Sequence, residues 1–320
     1  MMRPAVSVVI CVYNGASIVG RALDSVFAQN FDGVEVVVVD DGSTDGTAEV
    51  LDRYGDRILV IRQNNQGLAL ARNAGVAASR SEFVAFLDAD DLWMPGRLAK
   101  TVAALEHEPG AVLAFSDAVP VDSLDQPLGP SFVPSDKARA PSMDEIIATW
   151  WPILPSTVTM RRQTFIACGG FCDEYRSASG FEDVYLFILA RELGPFVYVP
   201  EPLTRYRLAP FVDRMIKYAP GFELFSRHLC ERYGEAGSRA IQQRAQQHSR
   251  SLVESGIQAL DAGRMKQARR AFLCARRYER LDRRSLLRLV RTYLPAPIAI
   301  ALSSRKRRVR TGDADRLNSG

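Results

Sequence analysis

The sequence predicts an α/β fold with a mixed, mostly parallel β-sheet, followed by a helical C-terminal extension. Over the first 120 residues, apolar β-branched segments alternate with segments of helical periodicity, which is typical of a parallel sheet covered by helices. After Pro210 the pattern becomes helical as far as about Leu294. We therefore expect an α/β domain over residues 1–210 and a helical, basic extension over residues 211–320, with a disordered tail from Asp313.

Four apolar runs are the expected strands of the first domain. Val6–Val12 and Val34–Val39 are nearly continuous runs of β-branched residues, as in strands buried on both faces. Shorter runs follow at Ile58–Ile61 and Phe83–Leu87. Helical patterns lie at about residues 16–29, 44–54, 67–79 and 95–107. Because ligands of such sheets collect at the carboxyl ends of the strands, we look for a functional site there.

The rest of the chain is less regular. Residues 119–141 are rich in Pro, Ser and Asp and predict a long loop. A helix is expected around Phe181–Leu193 and a strand around Phe196–Val199. In the extension, two apolar stripes recur at helical spacing, one made of Ala268, Ala271, Phe272 and Ala275 and the other of Leu286, Leu289, Val290 and Tyr293.

Charge is distributed unevenly along the chain. The net charge is +4, yet residues 261–310 contain 16 Lys and Arg against three acids, a net of +13, so the other 270 residues carry about −9. Three explanations stay open for this basic region: a solvated helical hairpin, attachment to an anionic membrane surface, or nucleic-acid binding. No recognised nucleic-acid-binding module accompanies the charge, so nucleic acid is not among the expected partners.

The numbers of cysteines and histidines argue against a disulfide-stabilised protein and against a zinc site. Five cysteines in 320 residues do not form a disulfide framework, and three unclustered histidines do not indicate a zinc site. No apolar run reaches the roughly 18 residues that a membrane-spanning helix needs. We expect a reducing, cytoplasmic compartment, with peripheral contact at the cytoplasmic face of the membrane if the basic region binds lipid.

Acidic residues follow the fourth strand. Asp88, Asp90 and Asp91 place three carboxylates at its carboxyl end. Asp88 and Asp90 are two residues apart, so in extended geometry they point the same way and suit a hard divalent cation that also binds diphosphate oxygens. The alternative is a solvated acidic turn before the helix that starts near Pro95.

Polar residues also follow the first and second strands. Tyr13 offers a flat face on which a nucleobase could stack, although a tyrosine there is more often a packing residue. Asp41 ends the second strand and could accept a hydrogen bond from a base. Ser43 or Thr44 is expected to cap the next helix.

The remaining candidate site residues are charged and lie on two later helices. Arg72 either reaches a diphosphate or is a surface arginine. Glu182 and Asp183 open a helix after Gly180, where the helix dipole alone favours acids. The functional alternative for this pair is a general base for a hydroxyl acceptor.

In their order, five segments resemble the family 2 glycosyltransferases of the GT-A fold. They read VSVVICVYN over residues 6–14, VVVVDDGSTDGT over 36–47, NNQGLALARNAG over 64–75, FVAFLDADDLWMPGRL over 83–98 and GFEDVYL over 180–186. The resemblance spans about Val6 to Arg207 and implies a GT-A (nucleotide-diphospho-sugar transferase) fold, which is Rossmann-like. It also implies an inverting enzyme that moves a sugar from a nucleotide-diphosphate sugar to a hydroxyl acceptor.

The resemblance implies which residues bind the nucleotide. Tyr13 and Asp41 match the nucleobase contacts, Asn64 and Arg72 help to hold the nucleotide, and Asp88 lies near the ribose. The expected donors are UDP-, dTDP- or GDP-sugars.

The resemblance also implies the metal ligand and the catalytic groups. Asp90 is the expected ligand of Mg²⁺ or Mn²⁺ on the diphosphate, and Asp183 is the expected catalytic base, with Glu182 beside it. The chain departs from the family pattern at one position. Many relatives have a histidine after an aromatic–arginine pair, whereas this chain has Ala209, which follows Arg207 and Leu208. If that histidine serves the metal or the diphosphate, this chain does without it.

We expect glycosyl transfer to a glycan or lipid-linked acceptor in cell-surface polysaccharide or glycolipid synthesis, and two other functions are alternatives to it. The first is a non-catalytic relative that binds a sugar nucleotide or glycan without turnover. The second is a phosphatase with an aspartate nucleophile. It fits poorly because its aspartates belong at the end of the first strand, where this chain has Tyr13 and Asn14.

Overall fold

A computed structural model describes residues 4–133, 139–149, 151–178, 180–295 and 297–298. The tail from Asp313, for which disorder is predicted, lies outside the described residues. The chain divides into two compact units, the first made of Met1–Ala209 with Pro220–Arg232 and the second of Pro210–Ala219 with Tyr233–Gly320. Residues 220–232 therefore belong to the first unit, although they follow the predicted domain boundary at residue 210.

The first unit contains one mixed sheet, which has eight strands in the described part of the chain. They are β1 (Val6–Val12), β2 (Val34–Asp40), β3 (Leu59–Arg62), β4 (Phe83–Asp88), β5 (Leu92–Trp93), β6 (Leu113–Val121), β7 (Val158–Arg161) and β8 (Phe196–Arg207). Their order across the sheet is β3-β2-β1-β4-β7-β6-β8-β5. The neighbours β3, β2, β1 and β4 are parallel, as are β6 and β8, whereas β7 is antiparallel to β4 and β6, and β5 is antiparallel to β8. The predicted mixed, mostly parallel sheet is confirmed.

Seven helices of the first unit connect or cover these strands, counting only described residues. They are α1 (Val19–Phe27), α2 (Thr47–Asp52), α3 (Leu68–Ala78), α4 (Arg97–His107), α5 (Met143–Ala148), α6 (Arg162–Ala167) and α7 (Glu182–Leu193). All seven residues of β1 are buried, because α1 and α4 share a core with one face of the sheet and α3 packs on the other. Gly75 permits this second contact, since a Cβ there would lie 2.4 Å from Val9 Cγ1.

Two predicted segments differ from the structure. β8 continues beyond the predicted end at Val199 as far as Arg207, and it stays paired with β6 despite irregularities in the register near Asp117. The predicted long loop over residues 119–141 begins later, since β6 extends to Val121. Residues 134–138 of that loop lie outside the described residues.

The C-terminal region is helical, as its pattern predicts. It contains α8 (Phe211–Asp261), which has one non-helical residue at Gly234, followed by α9 (Met265–Tyr278) and α10 (Arg283–Arg291). The first apolar stripe is buried on α9. Of the second stripe only Leu289 is buried, and its other three members are exposed on or just after α10. None of the helices that the structure describes has the length and apolar character needed to cross a bilayer.

Candidate active site

The carboxyl ends of β1, β2 and β4 meet at one edge of the sheet. Cys11 of β1 lies opposite Asp88 of β4, and Val12 lies opposite Asp40 of β2. The segments that follow these three strands are therefore neighbours. Most of the predicted site residues lie on these segments or on the helices that begin beside them.

Hydrogen bonds join the two turns that follow β1 and β2. The backbone N–H of Asn14 donates to Ser43 Oγ (2.9 Å), and the backbone N–H of Thr44 donates to Asn14 Oδ1 (2.8 Å). The prediction that Ser43 or Thr44 caps the next helix is wrong, because α2 begins at Thr47 and both residues bond to Asn14 instead. Tyr13 is 53% exposed beside these turns, so it is not a core packing residue.

Asp41 is buried and ties the loop after β3 to the edge of the sheet. Its Oδ1 accepts hydrogen bonds from Gln63 Nε2 (2.7 Å) and from the backbone N–H of Gln66 (2.9 Å), and its Oδ2 accepts from the backbone N–H of Gly67 (2.9 Å). A carboxylate has about four lone-pair positions, so these donors leave room for a ligand N–H. Asn64 lies exposed in the same loop.

Gly67 sets the path of the chain from this loop into α3. Its φ is +87°, in the left-handed region, and a Cβ at this position would lie 2.4 Å from the carbonyl oxygen of Arg176. Only glycine fits both the conformation and the close approach.

The acidic segment after β4 is a turn. β4 ends at Asp88 and the backbone N–H of Asp91 donates to the carbonyl oxygen of Asp88 (3.0 Å), so the extended geometry expected from Asp88 to Asp90 is wrong. Asp91 points inward, is 1% exposed, and accepts hydrogen bonds from Ser156 Oγ and from the backbone N–H of Arg207 (2.7 Å). Burial raises the pKa of Asp91 well above its ordinary value, and the negative charges of Asp88 and Asp90 raise it further.

Arg72 is the centre of a buried ion-pair cluster. Its Nη2 lies 2.6 Å from Asp88 Oδ1, and its Nη1 lies 3.3 Å from Glu182 Oε1. The guanidinium also lies over the ring of Phe171, 5.2 Å from the ring centroid. The side chain is 3% exposed, so the surface-arginine alternative is wrong. Because a guanidinium presents its donors in a rigid planar fork, Arg72 joins the turn after β4 to the start of α7.

The residue before the acidic pair of α7 has an unusual backbone conformation. Phe181 has a φ of +71°, which is strained for a bulky residue. Its ring stacks on Phe225 with the centroids 5.2 Å apart, and it also contacts Phe222 at 5.3 Å. This aromatic packing offsets the strain and fixes the direction in which α7 leaves the turn.

Glu182 and Asp183 are held beside each other at the start of α7. Glu182 is buried, and its Oε2 has no hydrogen-bond partner among the described residues. Asp183 accepts a hydrogen bond from the backbone N–H of Val184 (2.8 Å). Burial and the negative charge of Glu182 raise the pKa of Asp183 to about 7, while the positive charge of Arg72 opposes the shift. A carboxyl with this pKa takes up and releases protons near neutral pH.

The comparison with protein families decides the assignment. The profile of glycosyl transferase family 2 matches residues 7–172, which is more than half of the chain. The chain belongs to this family. The match covers β1, β2 and β4 with their turns, and the acidic pair of α7 lies beyond its end.

Relatives in the family share the N-terminal region. An uncharacterized glycosyltransferase of Nostoc sp. is 46% identical over 105 residues, which cover 32% of this chain and 33% of that protein. The succinoglycan biosynthesis protein ExoO of Rhizobium meliloti is 38% identical over 142 residues, which cover 44% of this chain and 40% of ExoO. The similarity thus spans about a third to two fifths of the length of these curated relatives.

Solved structures share the fold of this family 2 member. S. aureus TarS 1–349 in complex with UDP-GlcNAc has a TM-score of 0.58 at 20% identity, over 84% of this chain and 79% of that chain. The mannosyltransferase PcManGT from Pyrobaculum calidifontis, in complex with GDP-Man and Mn²⁺, has a TM-score of 0.57 at 18% identity, over 94% of this chain and 87% of that chain. At these identities the likeness concerns the fold alone, and the predicted GT-A fold is confirmed.

The acidic turn of this family 2 chain fits the divalent cation that the resemblance implies. Arg72 lies beside the carboxylates of the turn and of α7, and its guanidinium pairs directly with two of them, Asp88 and Glu182. Mutual repulsion among these carboxylates contributes to the raised pKa of Asp91 and of Asp183. A hard cation with oxygen ligands would offset this excess negative charge, and Asp90 is one of two partly buried carboxylates of the turn, the other being Asp88.

A second group of metal-ligand types lies elsewhere in the first unit. Ligand atoms of Cys172, Glu174 and His228 lie within 4.8 Å of one another. His228 Nε2 is 3.1 Å from Glu174 Oε1, and Arg227 pairs with the same carboxylate. An ion-pair network accounts for this group, so we assign no metal to it.

Two residues that hold the acidic turn were not among the predicted site residues. Ser156 Oγ accepts a hydrogen bond from the backbone N–H of Asp88 (3.0 Å) and donates to Asp91. Arg207 Nε donates to the carbonyl oxygen of Asp90 (3.0 Å). The sequence offers a signal for Arg207, because this residue lies in the segment where many relatives have the histidine that this chain lacks. No pattern in the sequence marks Ser156.

Proposed function

We propose that this chain is an inverting glycosyltransferase that moves a sugar from a nucleotide-diphosphate sugar to a hydroxyl acceptor. The observation that carries the proposal is the cluster in which Arg72 joins Asp88 to Glu182, next to a carboxyl of Asp183 whose pKa is raised to about 7. Such a carboxyl is suited to general-base chemistry at neutral pH. Family membership supports the same assignment.

The donor is proposed to lie along the carboxyl ends of β1, β2 and β4. Its base stacks on the exposed ring of Tyr13 and donates a hydrogen bond to Asp41, whose carboxylate keeps a free lone-pair position. Asn64 reaches the nucleotide from the loop that Asp41 anchors, and Asp88 lies at the ribose. UDP-GlcNAc bound to TarS and GDP-Man bound to PcManGT support a nucleotide-sugar donor without deciding between the two nucleotides.

In the proposed step, Asp183 accepts the proton of the acceptor hydroxyl. The hydroxyl oxygen forms the new bond to the anomeric carbon, and the nucleoside diphosphate leaves from the opposite face with the electron pair of the broken bond, so the configuration inverts. Glu182 helps to keep Asp183 basic enough for this transfer, because its negative charge raises the pKa of Asp183. A Mg²⁺ or Mn²⁺ ion held by Asp90 would stabilise the charge of the leaving diphosphate.

The role of Arg72 is mainly to position these carboxylates. Its guanidinium is already paired with Asp88 and Glu182, so it acts on the nucleotide chiefly through Asp88. This departs from the expectation that Arg72 itself holds the diphosphate. The cation nevertheless lies close enough to lower the pKa of Asp183 and keep it from rising further.

We further propose that the product belongs to a cell-surface polysaccharide or glycolipid, made on a glycan or lipid-linked acceptor in the cytoplasm. The name of the relative ExoO, a succinoglycan biosynthesis protein, supports a polysaccharide. None of the five cysteines, all of which lie among the described residues, forms a disulfide, and this fits a reducing compartment.

A donor screen tests the proposal first. The chain is mixed with UDP-, dTDP- and GDP-sugars, with and without Mn²⁺, and both thermal stabilisation and release of the nucleoside diphosphate are measured. We expect one nucleotide to stabilise the protein in a metal-dependent way and to be hydrolysed slowly. If no nucleotide binds even with metal, the donor site assigned here is wrong.

The variant Asp183→Asn separates an enzyme from a non-catalytic binder. We expect turnover to fall by about 10²–10⁴-fold, as for loss of a general base, while donor binding is kept. In the unmodified protein kcat/KM should rise with pH through about 7, as Asp183 loses its proton. A protein that binds the donor equally well with either residue and turns over in neither case would be the non-catalytic relative.

A further inference from the structure

The outward face of α10 exposes apolar side chains in a strongly basic region. Leu287 and Val290 are 58% and 62% exposed, and Leu286 is exposed beside them. Tyr293 and Ile298, just after the helix, are exposed as well. The opposite face, with Ser285 and Leu289, is buried, and Arg269 Nη2 donates to the carbonyl oxygen of Thr292 (2.6 Å) to hold the end of the helix.

Apolar and basic side chains occupy adjoining arcs of this face. At about 100° per residue, Leu286, Val290 and Leu287 span an arc of about 100° on the outward side of α10. Arg291, Arg284 and Arg288 follow on the next arc of about 60°, whereas Arg283, the first residue of the helix, lies within the apolar arc. The helix contains four arginines and no acid. This pattern, an apolar stripe with a basic flank, is typical of helices that lie in a membrane interface.

The charge of this face decides between its possible occupants. A second copy would bring four more arginines against the same surface, and like charges repel. The chain's own segment 299–310 carries five Lys and Arg and no acid, so it is no better matched. Nucleic acid would match the charge, but it offers no apolar surface for Leu287 and Val290. An anionic lipid surface satisfies both features, with headgroups for the arginines and acyl chains for the apolar side chains.

We propose that α10 binds the surface of an anionic lipid bilayer through this face, with Leu286, Leu287 and Val290 inserted and the arginines at the headgroups. The segment Arg305–Arg310 adds further basic residues to the same end of the chain. The binding does not depend on the proposed transferase activity, because none of these residues belongs to the candidate active site. It extends the enzyme assignment by naming the surface that brings the chain to a lipid-linked acceptor.

Vesicle flotation with the full chain tests the proposal. The vesicles contain either phosphatidylcholine alone or phosphatidylcholine mixed with phosphatidylglycerol, at low and at high ionic strength. We expect flotation with the anionic vesicles only, and weaker flotation at high ionic strength because salt screens the arginines. Equal flotation with both vesicles, or none with either, would overturn the proposal.

Two sets of substitutions separate the apolar from the electrostatic contribution. L287S/V290S removes the insertion and should lower vesicle partitioning by about tenfold or more. R284Q/R288Q/R291Q should lower it by about a hundredfold, since each arginine near an anionic surface contributes about fivefold. The matched control Ile166→Ser changes an apolar residue of α6 that is 55% exposed, and this variant should partition like the unmodified protein.

Three outcomes would contradict the assigned partner. If both α10 variants float like the unmodified protein, the face does not bind lipid. If the apolar variant instead disrupts a dimer that forms without vesicles, the face is a subunit interface. If duplex RNA binds tightly while vesicles do not, the basic region is a nucleic-acid site. The circular dichroism of each variant shows whether the helices are retained, and donor hydrolysis reports the active site separately.

Discussion

Replacing Asp183 with asparagine should stabilise the first unit at neutral and alkaline pH. Burial and the charge of Glu182 raise the pKa of this carboxyl from 3.8 to about 7. Between about pH 4 and pH 7 the folded protein therefore retains a proton that the unfolded chain releases, and its stability falls as pH rises through this window. Above about pH 7 the folded protein carries an unfavourable negative charge at this position, whereas the asparagine variant would carry none.

The size of the effect follows from the shift in pKa. A difference of about three units corresponds to about 4 kcal/mol of unfolding free energy. Asp183 is only partly buried, so solvent screening reduces the expected gain to about 2 kcal/mol near pH 8. Near pH 4 the side chain at position 183 is neutral in the folded state of both the unmodified protein and the variant, so the gain in stability should be close to zero. The hydrogen bond from the backbone N–H of Val184 is kept, since the amide oxygen of asparagine also accepts.

Urea unfolding followed by tryptophan fluorescence measures this difference. Trp93 and Trp151 belong to the first unit, and the sequence of the second unit contains no tryptophan, so the signal reports on the unit that contains Asp183. Asp32→Asn, at an exposed aspartate, is the matched control and should change stability by the same small amount at both pH values. A pH-independent gain, or a loss of stability near pH 8, would refute the reasoning about burial and charge.

Three further substitutions test the contacts of the site. Arg72→Lys keeps the charge but lacks the planar fork that bridges two carboxylates. We expect the unfolding free energy in urea to fall by about 1–3 kcal/mol and kcat/KM to fall at least tenfold. An unchanged kcat/KM would argue against the bridge. Gly67→Ala should destabilise by more than about 2 kcal/mol, roughly twice as much as Gly169→Ala, since both glycines have a positive φ but only a Cβ at Gly67 meets backbone within 4 Å. Asp41→Asn leaves one of the three N–H groups that bond to Asp41 without a good acceptor, which should loosen the loop after β3. We expect the affinity for the nucleotide sugar, measured by calorimetry, to fall by about tenfold. Unchanged affinity would mean that Asp41 does not contact the base.

The central strands could be predicted from the sequence because their composition leaves few alternatives. A run such as Val6–Val12 can be buried only if both faces are covered, and this requirement alone indicates a parallel sheet with helices on both sides. Because such strands deliver their following residues to one edge, the neighbourhood of Tyr13, Asp41 and Asp88 could be expected from the same pattern.

Contacts between distant segments could not be predicted in this way. Nothing near Arg72 in the sequence distinguishes a buried arginine from a surface one, because its partner Glu182 lies 110 residues away. The extended geometry expected from Asp88 to Asp90 is wrong because the strand ends at Asp88, and Ser156 and Arg207 hold Asp91 in the turn that follows. Periodicity identified the apolar residues of α10 but not whether any element covers them.

The aromatic contact of Phe181 bears on where the catalytic unit can be truncated. A fragment that ended at Ala209 would keep Phe181 but would lack Phe222 and Phe225. Phe225 is fully buried, and without it the strained backbone of Phe181 would lose the packing that keeps it in place. A fragment that preserves this support and keeps the first unit whole therefore continues through Arg232, and it must carry residues 210–219 of the second unit with it.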